Sequence, residues 1–175
     1  MADCSFTSPK GWFRYRACAV IINDGHILFA KNEREPYYYS VGGGVHLHET
    51  AEEAVVREVF EETGIYYEVD RLLFIHENFF TGSMTNKDQQ CHEVALYFLM
   101  KPNATKVFNH QSYSLGGIRE SVCWLPIAKL DEYEAYPTFF QQELLNLPKT
   151  AKHIVTKEFI DSNRIKHKKV KNKYN

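Results

Sequence analysis

Gly43-Gly44-Val45-His46-Leu47-His48-Glu49, continued by Arg57-Glu58-Val59-Phe60-Glu61-Glu62-Thr63-Gly64-Ile65, is the stretch that decides how this chain folds. Thr50 and Glu53 between the two blocks have the spacing of a capping box, so a helix should begin just after Thr50. Gly64 is placed to end it in a left-handed conformation, which predicts a helix over Ala51 to Thr63. At about 100° per residue, Val55, Val56, Val59 and Phe60 fall on one arc and Glu58, Glu61 and Glu62 on another. The apolar arc is predicted to be buried and the acidic arc to face out.

Three carboxylates on one arc repel one another, and Glu61 and Glu62 also lie in the last turn, where the helix dipole disfavours negative charge. A hard divalent cation would relieve both conflicts. Mg2+ fits best, because it takes oxygen ligands, keeps several waters and shares its shell with substrate phosphates. Gly42, Gly43 and Gly44 supply a turn whose backbone can approach a ligand or turn a carbonyl toward a metal. Glutamates at this spacing, taken alone, equally describe a solvated helix face.

The wider pattern narrows the choice. Gly43, Glu49, Arg57, Glu58, Val59, Glu61, Glu62, Gly64 and Ile65 fill nine fixed positions across 23 residues. In this the chain resembles the Nudix (MutT-like) hydrolases. The resemblance implies an α/β fold, an α/β/α sandwich with a mixed central sheet. It also implies that Glu58, Glu61 and Glu62 bind catalytic Mg2+, with Mn2+ as a substitute, that the Gly43 carbonyl joins them, and that Glu49 and Arg57 form a salt bridge shaping the loop. The implied chemistry is attack of water on a phosphorus of a diphosphate bridge.

Members of the family take their general base either from the box, here Glu62 or Glu58, or from a later loop. The later candidates are Glu120, in Gly116-Gly117-Ile118-Arg119-Glu120, and Glu93 in a strand. Glu120 is the better candidate, since a glycine-containing loop can close on substrate and a strand residue cannot. A solvated loop carboxylate is the alternative reading. Where many relatives have Pro-Gly-Gly, this chain has Val41 before its glycines, and His46 and His48 occupy the loop. Either histidine is a candidate phosphate contact or an exposed loop residue without a role.

The substrate class implied by the resemblance is a small nucleotide-like molecule, a nucleoside diphosphate derivative such as ADP-ribose or a nucleoside triphosphate. The alternatives are removal of pyrophosphate from RNA 5′ ends, motivated by a basic C-terminus, and a non-catalytic nucleotide sensor. The complete Arg57-Glu58-Val59-Phe60-Glu61-Glu62 run speaks against the sensor. Dimers are frequent in the family, so a homodimer is a further expectation.

With 175 residues, 44% of them hydrophobic, the chain can bury one core. Residues 1–160 are expected to form a single domain and residues 161–175 a basic tail carrying Arg164, Lys166, Lys168, Lys169, Lys171 and Lys173. The net charge of −1 argues against a general nucleic-acid binder. Cys4, Cys18, Cys91 and Cys123 are scattered, which suits a reducing cytoplasm. No run has the length of a membrane span, and the first residues lack the apolar centre of a signal peptide.

Tyr15 to Ile22 and His26 to Ala30, joined by Asn23-Asp24-Gly25, are predicted to form a hairpin. Tyr66 to Asn78 and Glu93 to Met100 read as strands flanking a polar loop, Pro126 to Leu130 as a helical turn, and Thr138 to Leu147 as an amphipathic helix ended by Pro148. Tyr37, Tyr38, Tyr39, Phe79 and Phe80 are candidates for stacking on a base or for packing. Arg14 and Arg16 share one face of a strand, there to hold phosphates or to form the solvated side of an edge.

Overall fold

Period-two alternation in Gly11-Trp12-Phe13-Arg14-Tyr15-Arg16-Ala17 sends large side chains to both faces of a strand, and that strand organises the molecule. The computed structural model describes residues 1–82, 89–103, 112–113 and 119–158. In chain order its strands are β1 (Ser5–Ser8), β2 (Gly11–Val20), β3 (Ile22–Asn23), β4 (His26–Asn32), β5 (Tyr38–Ser40), β6 (Gly42–Gly44), β7 (Val69–Thr81), β8 (Gln90–Met100), β9 (Ser112–Tyr113), β10 (Arg119–Pro126), β11 (Ala135–Tyr136) and β12 (Lys152–Glu158). Helix α1 is Ala51–Thr63, α2 is Phe140–Glu143, and a 3-10 helix spans Ile127–Glu132. The basic tail and the segment Gly116-Gly117-Ile118 lie outside the described residues.

The strands form two mixed sheets. One has the order β1-β2-β8-β7-β12, with β6 also on β2; the other has β11-β5-β4-β10-β9, with β3 on β4. The pairs β2–β8, β7–β12 and β5–β11 are parallel and the rest antiparallel. Helix α1 buries Ala51, Ala54, Val55 and Val59 against Ala17, Ala19, Leu28, Ala30 and Phe98 of both sheets. On the opposite side Cys18, Val20, Phe29, Phe74 and Tyr97 pack against Leu130, Phe140 and Leu144. The result is the α/β/α sandwich with a mixed sheet.

Helix α1 occupies the predicted span. The Thr50 side chain accepts from the Glu53 N–H, the Glu53 carboxylate accepts from the Thr50 N–H at 2.8 Å, and Gly64 leaves the helix at φ 72° with its N–H on the Phe60 carbonyl. The Asp24-Gly25 turn has positive φ at both residues, as a tight right-twisted reversal requires.

Several expectations are corrected. The hairpin is short: Ile22 pairs with Ile27 and Asn23 with His26, while β2 leaves β4 and pairs with β8 along its length. Val20 can belong to the first sheet because it is buried, with the core on its far side. Strands β1, β5, β6, β9, β10, β11 and β12 lie outside the strands expected from the sequence, being short or carrying polar residues that give no clear apolar alternation. The helix expected over Thr138 to Leu147 contracts to Phe140–Glu143. Phe139 at its start makes no side-chain cap, and its first bonds run three residues back. The described chain closes on strand β12 rather than on that helix. β2 is flanked by β1, β6 and β8, so Arg14 and Arg16 do not lie on a solvated edge. Among the described residues no helix is long and apolar enough to cross a membrane.

Candidate active site

The acidic arc of α1 faces solvent only at Glu61; Glu58 and Glu62 are half-buried. Strand β6 passes beside it, and because Gly42, Gly43 and Gly44 have no side chains, Glu58 and Glu62 close directly on backbone. A Cβ on Gly43 would lie 2.5 Å from Glu58 Oε2, and one on Gly42, whose φ is 132°, would lie 2.7 Å from the Cys18 Cα. Only glycine fits at Gly42, where backbone blocks a side chain; at Gly43 a side chain would displace the Glu58 carboxylate.

Glu62 is the most deeply placed of the three. Its Oε1 accepts the Gly42 N–H at 2.9 Å, and its Oε2 is buried with no hydrogen-bond partner among the described residues. Burial pushes its carboxyl up to about 8; the Gly42 N–H and Arg16 oppose that rise, whereas Glu120 and Glu58 add to it. Glu58 is also raised, by burial first, with Arg57 opposing. Glu61 stays at the rim with its side chain 56% exposed, and accepts from Arg57 Nη1 at 3.2 Å.

Arg57 clasps the loop to the helix. Its Nε and Nη2 donate to the two oxygens of Glu49 at 2.8 and 3.0 Å, Nη2 also reaches the Gly44 carbonyl at 3.0 Å, and Nη1 donates to Glu58 at 2.7 Å. The guanidinium, helped by the His46 N–H, holds the Glu49 carboxyl down to about 2.

Glu120 reaches the same place by a different route. It stands in β10, paired with Asn32 of β4, and not in a loop; the sequence-based placement is corrected because its neighbours alternate between the two faces of a sheet. Its Oε1 accepts the Tyr39 phenol at 2.5 Å, and its charge acts on Glu62. Tyr39 is pushed up by burial and by this carboxylate. The structure thus brings Glu58, Glu62 and Glu120 together with Gly43 and leaves Glu61 at the edge.

Glu93 is not at this centre. It is buried in β8 between two cations, bonded by Arg14 Nε and lying 3.8 Å from Arg16 Nη1. Burial would raise its carboxyl, and Arg14 followed by Arg16 more than offsets this, so it stays below the ordinary value. Arg14 itself lies 4.8 Å over the Trp12 ring and 6.0 Å from that of Phe80. His46 is engaged by Asp3 and Glu49, and the backbone of Ala2 to Cys4 runs along Val45 to Leu47. Phe79 stacks on His92 and Tyr38 packs on Tyr133, which accounts for both by packing. Sequence reasoning weighed Arg16 only as a phosphate contact or a solvated edge residue and missed its bond to the Gly42 carbonyl, as it missed the hydrogen-bonding role of Tyr39. Alternating charge on an aromatic-rich strand was the available signal, and it does not reveal burial.

The donor set fits a hard divalent cation. Glu62 Oε2 is buried without a proton donor, and Glu58 and Glu120 add carboxylates around it. Among the described residues no three His, Cys, Asp or Glu side chains close on one point as a cage.

Comparison with known proteins decides the family. The model of the NUDIX domain matches residues 12–143. The chain belongs to the Nudix family. This Nudix chain is 34% identical over 84 residues to an ADP-ribose pyrophosphatase of Methanocaldococcus jannaschii, covering 46% of each chain. It is 37% identical over 97 residues to a MutT-like protein of Streptomyces ambofaciens, covering 55% of this chain and 56% of that one. It therefore spans about half the length of the curated relatives it matches. The fold superposes on the MutT protein of Bacillus halodurans with a TM-score of 0.56 at 16% identity, over 82% of this chain and 90% of that one. For the MutT protein of Methanosarcina mazei the TM-score is 0.54 at 23% identity, over 77% and 91%. These two likenesses concern the fold alone.

Proposed function

We propose that the protein is a divalent-metal-dependent pyrophosphohydrolase that cleaves the diphosphate linkage of a nucleoside diphosphate derivative of the ADP-ribose class by attack of water at phosphorus. The observation that carries this reading is Glu62, with one oxygen on the Gly42 N–H and the other buried without a partner among the described residues, in the field of Glu58 and Glu120. A group so placed is costly to keep unless a ligand completes it. The ADP-ribose class is favoured by the name of one relative with 34% identity.

Glu58 and Glu62, with the Gly43 carbonyl and Glu61 at the rim, would hold Mg2+ or Mn2+, which supplies charge neutralisation at the phosphates and a lowered pKa for bound water. The chain's own residues do the rest. The side-chain-free Gly42–Gly44 backbone lets a phosphate come close to the helix. Glu120, which accepts the Tyr39 phenol, is our candidate to take the proton of the attacking water, beside Glu62 and Glu58; its strand position removes the loop-closure argument, and its nearness to Glu62 is what supports it. Arg14, its side chain 30% exposed, adds positive charge beside the aromatic rings of Trp12 and Phe80 where a nucleotide-like substrate would lie.

The test is release of AMP or phosphate from a panel of ADP-ribose, nucleotide sugars and nucleoside triphosphates with Mg2+, run beside Glu62→Gln. ADP-ribose is expected to be the preferred substrate, with kcat lower by on the order of 10³-fold in the variant. Turnover by Glu62→Gln equal to that of the wild type would sink the assignment.

A further inference from the structure

A second charged group sits behind the candidate site, and its atoms touch the turn that carries it. Arg14 and Arg16 lie on one face of β2, and the parallel register puts Glu93 directly beside Arg14. Glu93 accepts from Arg14 Nε and lies 3.8 Å from Arg16 Nη1. The other arm of Arg16 leaves this pair: Nη2 donates to the Gly42 carbonyl at 2.7 Å.

Gly42 is where the two box carboxylates meet the backbone. Its N–H donates to Glu62, and the peptide that follows it leads to Gly43, whose Cα lies against the Glu58 carboxylate. The Arg16 fork therefore fixes the direction of the Gly42–Gly43 peptide, and that peptide separates Glu62 from Glu58. Ala17 and Cys18 close the other side of Gly42, so the turn cannot relax away from the pull.

We propose that Arg16, held by Glu93, is a positioning residue that sets the spacing of Glu58 and Glu62 through the Gly42 carbonyl. This rests on the reading of those two carboxylates as metal ligands. The geometry requires a fork: one planar guanidinium reaches a carboxylate and a carbonyl in two directions, whereas a lysine ammonium, a point charge on a flexible stem, holds one of them well. Glu93, weighed above as a general base, instead anchors the arginine. Glu93 is buried, at 3% exposure, and both cationic neighbours lie on its Oε2, so its charge is spent on the arginines. Supporting groups behind metal ligands commonly change affinity or activity by about 10- to 100-fold.

The experiment measures Mn2+ binding to the full chain by titration calorimetry without substrate, together with kcat and KM for the panel substrate, in wild type, Arg16→Lys and Glu93→Gln. Near-UV circular dichroism scores the fold of each. Arg16→Lys keeps the charge and loses the fork; the expectation is Mn2+ binding about tenfold weaker and kcat about 10- to 100-fold lower, with KM within about threefold. Glu93→Gln keeps a hydrogen-bond acceptor for Arg14 and removes the charge that faces Arg16, so it reads the same quantity if the lysine variant fails to fold. Its expected loss is in the same direction and smaller. A folded variant that binds Mn2+ as the wild type does overturns the positioning role. A wild type that binds Mn2+ and hydrolyses nothing overturns the hydrolase reading and leaves the comparison of Mn2+ affinities intact. A wild type that binds no Mn2+ overturns both.

Discussion

Arg57 and Arg16 each hold a carbonyl of the same glycine turn, that of Gly44 and that of Gly42, and the two grips are built from opposite materials. Arg57 works with Glu49, eight residues away, at the partly exposed rim of α1. Arg16 works from inside the first sheet with Glu93, which reaches it only because β2 and β8 lie side by side in parallel. The rim grip is local, and solvent shares its charge. The inner grip is buried and long-range, so it is rigid only while every charge in it keeps a partner. Two pairs of the same residue types thus shape one turn, the outer one by closing a loop on a helix and the inner one by fixing a peptide.

The difference predicts an order of effects. Glu93→Ala would leave two guanidiniums facing each other without their anion, and the expected loss is about 3–5 kcal/mol by urea unfolding. A loss no larger than that of Glu49→Gln would remove the distinction drawn here between the inner and outer grips.

Glu62 sharpens the comparison through pH. Its folded value of about 8 lies above the ordinary 4.5, so between these values the unfolded chain has released a proton that the folded chain still holds. Metal-free stability should therefore fall as pH rises from about 4.5 to about 8, at no more than about 1.4 kcal/mol per pH unit, and level off above. Unfolding in chelator at a series of pH values measures it. Glu62→Gln should flatten that slope; an equal slope in the variant would assign it elsewhere.

The outer grip behaves with the opposite sign. Arg57 depresses the Glu49 carboxyl to about 2, so its contribution is complete above the ordinary value of 4.5 and is lost as pH falls toward 2. Glu49→Gln should cost about 1–2 kcal/mol at neutral pH, measured by thermal unfolding, with the difference from wild type shrinking in acid. The smallest effect belongs to the exposed contact of Asp3 with His46, 3.4 Å apart: Asp3→Ala should change stability by less than about 0.5 kcal/mol. A larger loss would make the Ala2 to Cys4 segment a third support of the loop.

The sequence alone determined α1, its capping box and its glycine end, because each depends on residues a few positions apart whose geometry the helix dictates, while the Glu49–Arg57 clasp was implied by the family resemblance. It also placed Glu58, Glu61 and Glu62 on one arc. Only the tertiary structure decided that Glu62 is buried and Glu61 is not, since that depends on where β6 lies against the helix. Glu120 was legible as a candidate, but its position came from β10 pairing with β4, whose partners Glu120 and Asn32 are 88 positions apart in the chain. The role of Arg16 depends on a parallel pairing of β2 with β8 that no local pattern encodes, because strand periodicity tells which residues share a face and not which strand will lie beside them.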